Sequence, residues 1–226
     1  VKRDDDKRAA ILDRAEELFT EHGFHGVTLA AIAQAVGLGN AGLLHHFATK
    51  QTLYRDVLRR LAAELDGVVG EALDGAPTIR AKLETLVRAV AAWSQQRAGR
   101  ARLMIRELLD NVDRVERART LPLAGFVDTC VALVEAGQME GTVRHADPLV
   151  VLAQVFGALA YAQLARPTFA RIAAGRVSGP RGKSAVSKPG ERRARSIAEG
   201  DAQINDERRW MSAVVIDVER MLFAEV

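Results

Sequence analysis

The chain has 226 residues, 48% of them apolar, enough to bury one sizeable core or one core with a small satellite, which excludes a disordered chain. A single cysteine, Cys130, excludes an intrachain disulfide framework and suits a reducing compartment. The net charge of +3 does not point to nucleic acid: residues 175–196 carry seven Lys/Arg against one Glu, a local +6, so the rest of the chain sums to −3, and residues 1–60 are close to neutral with nine basic and eight acidic side chains.

The opening VKRDDDKRAAIL has no long apolar core before a small-residue cleavage site, so no signal peptide is expected and a cytoplasmic location is. Every periodic segment that follows is helical. In residues 8–22, Ile11, Leu12, Ala15, Leu18 and Phe19 recur at the spacing of one helix face, and Gly23 ends the stretch. Residues 28–36 repeat the pattern with Leu29, Ile32, Ala33 and Val36. Thr28 stands where an N-cap oxygen is wanted, and Gly37 where a left-handed stop is. A short helix is expected over 39–46. A long one starts at the cap Thr49 and carries Leu53, Val57, Leu61 and Leu65 on one face. Beyond Pro77, helices are expected at 78–96, 99–112 and 120–136. Asp147-Pro148 opens another, since Asp caps well and Pro suits the first helical position. Its body, LVVLAQVFGALAYAQLA (149–165), is apolar nearly all round, and Pro167 is expected to bend or end it. Residues 175–196 read as a flexible loop, taken to 205 in the domain division below. A last amphipathic helix, 206–224, carries Trp210, Val214, Val218, Met221 and Leu222 on one side. No segment alternates apolar and polar residues beside a hairpin signal, so the fold class expected is all-α.

The stretch GLGNAG, Gly37 to Gly42, fits G-x-G-x-x-G, a pattern that cradles a dinucleotide pyrophosphate. That pattern carries meaning only after a strand in a βαβ unit, whereas TLAAIAQAV before it has a helical period. No cofactor is expected. A helix-turn-helix explains the same residues. It asks for apolar Ile32, small Ala33 at the crossing, apolar Val36, Gly37 in the turn, and apolar Leu38 and Leu43 to seat the second helix; all six are present.

Residues 8–55 resemble the DNA-binding domain of the TetR family of bacterial transcriptional regulators. The resemblance rests on ILDRAEELFTEHGFHGVTLAAIAQAVGLGNAGLLHHFATKQTLY, which holds F-x-x-x-G-F, T-x-x-x-I-A-x-x-x-G, H-F closing the second short helix, and T-K before the long one. It implies an N-terminal three-helix helix-turn-helix DNA-binding domain over residues 1–55 and a larger helical ligand-binding and dimerisation domain over 56–226. On DNA, Asn40 and Ala41 would face bases in the major groove and His45 a base or a phosphate. Thr28, His46, Thr49 and Lys50 would anchor phosphates. The chain departs from the common pattern at Gly39 (usually Ser or Thr), Ala41 (often Gly), Gly42 (often Thr) and Leu44, which replaces a Tyr whose hydroxyl holds a phosphate. Leu44 is expected to make an apolar contact, with a thymine methyl as candidate.

Other readings of these residues stay open. His22, His25, His45 and His46 cluster, but no Cys or acidic group completes a four-ligand set, so no metal is expected. His46 beside Phe47 could simply pack, Thr28 and Thr49 could be plain caps, and the basic loop could be solvated or touch DNA. In the larger domain, the resemblance implies that the apolar helix and the last helix pair with their copies in a homodimer, with Leu152, Val155, Phe156, Leu159, Trp210, Val214, Val218 and Leu222 as interface candidates. Trp93, Met104, Arg106, Phe126, Cys130, Gln154 and Tyr161 are candidates to line a pocket for a small-molecule effector. No G-x-S-x-G, H-E-x-x-H or P-loop offers a catalytic set, so no enzyme is expected. The apolar helix, interrupted by Gln154 and Gln163, is slightly short for a membrane span. The function expected is a ligand-responsive repressor that binds a palindromic operator, with an activator of the same architecture or an all-helical enzyme as alternatives.

Overall fold

The computed structural model describes residues 2–110, 120–177, 206 and 208–223. Among the described residues there are nine helices and no strand, so the all-α reading holds. The helices are α1 Lys2–His22, α2 Leu29–Ala35, α3 Asn40–His46, α4 Lys50–Asp74, α5 Ile79–Gln96, α6 Ala98–Asp110, α7 Ala124–Met139 and α8 Pro148–Val177. The last, α9, spans 208–222. The chain falls into two compact units, Val1–Ala136 and Gly137–Val226.

In the first unit α1 packs on α2, α4 and α6, α2 on α3, and α5 on both α4 and α6. The stripe Ile11, Ala15, Phe19 on α1 is fully buried, as are Ile32 and Ala33 on α2, Leu43 on α3, and Leu53, Val57, Leu61 and Leu65 on α4. Each large apolar side chain buried this way contributes about 1.5–3 kcal/mol, which is what makes two helices of one or two turns hold their shape. Phe19 and Tyr54 meet edge-on with ring centroids 4.9 Å apart, and Phe24 lies 4.9 Å from Tyr54. Three helices start on the same device. The hydroxyl oxygens of Thr28, Thr49 and Thr78 each accept from the backbone N–H three residues on, at 3.1 Å. Such a cap is worth about 1 kcal/mol.

The first helix begins at Lys2, earlier than its apolar stripe suggests, because its first turns are held by polar contacts described below. The seating of α6 on α1 is closer than any apolar pattern could show: a Cβ on Gly99 would lie 2.8 Å from Thr20 Cγ2.

In the second unit, the Gln138 side-chain amide donates to the carbonyls of Arg144 (3.1 Å) and Ala146 (2.7 Å), pinning the loop before α8. Asp147 Oδ1 caps that helix, accepting from the Leu149 N–H at 2.8 Å. The helix then runs for 30 residues with Pro167 inside it. Pro167 therefore does not end it. The position is exposed, where loss of one backbone hydrogen bond is tolerable because water can reach the freed carbonyl. Residues 175–177 are helical as a result, and the rest of the expected loop, 178–205, lies outside the described residues.

Candidate nucleic-acid interface

The turn between α2 and α3 is built by its backbone. Gly37 has φ of +68°, the left-handed conformation that favours glycine. The Leu38 N–H donates to the Ala33 carbonyl (2.9 Å) and the Gly37 N–H to the Gln34 carbonyl (3.1 Å), the paired bonds of a Schellman stop. The chain reverses there, and α3 starts at Gly39, which provides no side-chain cap. Of α3, Leu43 is fully buried and Phe47 beyond its end nearly so, while Asn40, Ala41, Leu44 and His45 are exposed. Leu44, 47% exposed, is a large apolar side chain held out towards solvent.

Thr28 and Thr49, exposed at the starts of α2 and α4, flank this helix in sequence. Capping uses each hydroxyl oxygen as acceptor, so the O–H can still donate; Thr49 also shares a hydroxyl–hydroxyl bond of 2.5 Å with Thr52. Lys50 is placed differently from a plain phosphate anchor. Its ammonium donates to the carbonyls of Phe24 and Val27, 3.0 Å each, and lies 4.3 Å from the centre of the Phe24 ring. It therefore ties the loop before Thr28 to the residue after Thr49, setting both hydroxyls, with one of its three donors left over. His46 is also turned inwards: its side chain is only 9% exposed, with Nδ1 3.6 Å from Asp4 Oδ1.

Sequence reasoning missed the side chain that closes this arrangement. Arg8, on α1, donates to the His46 carbonyl at 3.1 Å, pairs with Asp56 of α4, and stacks 4.2 Å from the centre of the Phe47 ring. One guanidinium thus holds the C-terminal end of α3 against α1 and α4. The partners are 38 and 48 residues away in the chain, beyond the reach of any local spacing rule.

Further along α1, two carboxylates gather a network. Glu16, nearly buried, accepts from Arg60 of α4 and from Arg100 of α6 (2.5 Å), and Asp13 accepts from Arg60 at 2.6 Å. Glu64 of α4 accepts from Arg100, from Arg97 (3.1 Å) and from the Trp93 indole (3.3 Å). Burial works against the charged form of Glu64. Hydrogen bonds from Arg97 and Trp93 and the charges of Arg100 and Arg97 outweigh it, holding the carboxyl below its ordinary value. For Arg60 too, burial is outweighed, by Glu16 and Asp13, and its pKa is raised. The first helix is thus joined to α4 and α6 by charge as well as packing.

The pocket candidates separate. Trp93, Met104, Phe126 and Cys130 are buried in the first unit, with Trp93 already engaged by Glu64, and Arg106 is half-buried beside Gly23. Burial, with the charge of Asp66 adding to it, pushes the Cys130 thiol up to about 12, so it is not a nucleophile at neutral pH. In the second unit, Gln154 is exposed and accepts from Arg144, and Tyr161 is exposed in an edge-on pair with Phe169. Of the interface candidates, Leu152, Val155, Leu159, Val218 and Leu222 are buried within the single chain, Phe156 and Val214 are half-buried, and Trp210 is 41% exposed. No group of three or more His, Cys, Asp or Glu able to hold a metal occurs among the described residues.

A buried three-helix core that projects a short second helix, with capped helix starts before and after it in sequence, defines a helix-turn-helix unit. The family described as bacterial regulatory proteins, tetR family, matches residues 11–57, so the helix-turn-helix segment is of that family's type. Among curated proteins, the transcriptional regulator RutR of Escherichia coli is 30% identical over 143 residues, covering 63% of this chain and 66% of that regulator, just under two thirds of its length. Among solved structures, a protein from Shewanella assigned to the TetR family superimposes with a TM-score of 0.67 at 18% identity, covering 97% of this chain and 99% of its own. AibR, solved in complex with isovaleryl coenzyme A and operator DNA, superimposes with a TM-score of 0.65 at 16% identity, covering 97% of this chain and all of its own. These two share the fold.

Proposed function

We propose that this protein is a ligand-responsive transcriptional repressor of the cytoplasm, which binds a palindromic operator as a homodimer and leaves it when a small molecule binds. Residues 1–55 are the part assigned to DNA, and 56–226 the part assigned to effector binding and pairing. The observation that carries the reading is α3. Its buried side chains hold it firmly, and its outer face presents Asn40, Ala41, Leu44 and His45 between two exposed Thr hydroxyls, with Lys50 and Arg8 fixing the frame. Base contacts would come from α3 and phosphate contacts from Thr28, Thr49, the remaining donor of Lys50, and His45.

The surface assigned to the second copy is the outer face of α8 and α9. There Val150, Tyr161, Leu164, Phe169, Ile172, Trp210 and Ile216 are exposed large apolar residues, which a lone soluble chain would leave in water. The stretch Pro148–Ala173 is long and apolar enough to cross a membrane by composition alone, but Arg171 and Gln154 stand exposed along it. With the DNA-binding motif, these favour a copy of the chain over lipid.

Two recognition helices related by a two-fold would read half-sites about 34–36 Å apart, or a multiple of that. An effector that prefers another separation releases the DNA, and a 100-fold loss of affinity takes about 2.7 kcal/mol of differential binding. That AibR was solved with an acyl-coenzyme A and operator DNA together supports a small organic effector here, and Arg106 is the side chain assigned to an anionic one. Gel shift with DNA flanking the gene, repeated with a panel of metabolites, tests the reading. Saturable, salt-sensitive binding reversed by one metabolite supports it, and weak sequence-independent binding overturns it. Activation of a promoter by the bound protein would favour the activator alternative.

A further inference from the structure

The exposed arc of α3 has a chemistry that narrows what it can read. With successive residues 100° apart, Asn40, Leu44, Ala41 and His45 fall, in that angular order, on one arc of roughly 140°. Leu43 and the inward-turned His46 fall on the opposite side. No Lys, Arg, Asp or Glu occurs anywhere in NAGLLHH. The side chains that pair bidentately with guanine O6 and N7, or accept from cytosine N4, are therefore missing from the helix. What remains is an amide, which matches adenine N6 and N7, two apolar side chains, which match only one feature of the major groove, the 5-methyl of thymine, and at the edge of the arc the imidazole of His45, assigned above to a phosphate.

Leu44 is the informative residue. It is 47% exposed on the same outer arc as Asn40, Ala41 and His45, while Leu43 beside it is buried. Its neighbours on the arc are a one-carbon side chain, Ala41, and an amide, so it is the longest apolar reach on that surface. On the flank, Gly42 is small without being required by the fold. A Cβ there would meet Leu38 atoms only at 3.8 Å and beyond, an ordinary contact.

We infer that Leu44 is a specificity-determining residue that reads thymine by its 5-methyl group, and that the operator half-site under α3 is A·T-rich, with Asn40 on an adenine. The inference rests on the proposed DNA-binding function and deepens it. Burial of one methyl against Leu44 corresponds to about fourfold in affinity per half-site, so about 16-fold for a two-fold symmetric operator.

The test uses the full chain. Duplexes are selected from a random pool by the protein, and the half-site is read from them. Affinities are then measured at one salt concentration for the selected duplex and for copies with each thymine of the half-site replaced by deoxyuridine, which keeps the base-pairing edge and removes only the methyl. The same series is run with Leu44→Ala, an exposed position where the fold is not at stake. The expected result is an A·T-rich half-site, with one uracil substitution weakening wild-type binding about fourfold per half-site and leaving Leu44→Ala unaffected. A G·C-rich half-site under α3, or uracil substitutions that leave the wild type unchanged or weaken both proteins equally, overturns the inference while leaving the DNA-binding reading in place. Failure to select any duplex overturns that reading and the inference with it.

Discussion

Glu16 is the position where the structure makes its most specific demand on stability. Its side chain is 11% exposed and accepts from two guanidiniums, Arg60 at 31% exposure and Arg100 at 27%. Glu16→Gln keeps the volume, removes the charge, and turns an amide N–H₂ towards one of the two cations. A fully buried pair broken on one side costs about 3–5 kcal/mol. Here both cations keep a second carboxylate, Asp13 for Arg60 and Glu64 for Arg100, and both are partly hydrated. The cost expected is therefore nearer that of charged hydrogen bonds, about 2 kcal/mol. Urea unfolding followed by circular dichroism, at fixed chain concentration, should show a lower midpoint with unchanged slope, and melting should fall by about 4–8 °C. Glu17→Gln serves as control, since Glu17 is exposed and pairs with Arg14 one turn along, and it should shift stability by less than about 0.5 kcal/mol. A Glu16→Gln loss no larger than that of the control, additive with Arg100→Gln, would refute the claim that this network fastens α1 to α4 and α6.

Acid should act through Glu64. Its folded carboxyl sits below the ordinary 4.5, so the unfolded chain takes up the proton first, and stability rises with pH across that window. The stability difference between wild type and Glu64→Gln should be flat well above 4.5 and should shrink as pH falls through the folded value; a difference that grows with acidification contradicts the assignment. Gly99→Ala should cost about 1–3 kcal/mol by forcing a methyl against Thr20, and Thr20→Ser in the same chain should recover most of it. Independent, additive effects in a denaturation cycle would remove Thr20 as the cause. Gly42→Ala should stabilise the fold by about 0.5–1 kcal/mol, helix glycine being costly, and weaken operator binding, read by thermal shift and gel shift together. Tyr161→Glu with Leu164→Glu should convert a dimer to a monomer in sedimentation while keeping the helical spectrum; a dimer that survives moves the pairing surface elsewhere.

What could be read from the chain alone was whatever repeats locally. The caps at Thr28 and Thr49, the turn at Gly37 and the seam on α4 depend on residues within a turn or two of one another, and each lies where its spacing puts it. The candidate DNA face was legible through the family resemblance and not through spacing; Asn40, Ala41, Leu44 and His45 are exposed beside the buried Leu43. The inward turns of His46 and Lys50 were not legible, since they depend on Asp4, Arg8 and two backbone carbonyls from other elements. In α8 the failure is instructive. A helix apolar on every side does not reveal which side its own chain covers, so Leu152, Val155 and Leu159 looked available to a partner and are buried, while Val150, Tyr161 and Leu164 are exposed.

The central claim is that α3 and its copy read a two-fold symmetric duplex. Hydroxyl-radical footprinting of the full chain on DNA flanking its own gene tests it most directly. The expected result is two protected patches related by a dyad, centred about one helical turn or a multiple apart, abolished together by Asn40→Ala with Leu44→Ala, and weakening steeply with salt. A single unsymmetric patch, or protection spread evenly along the duplex and indifferent to those substitutions, would contradict it.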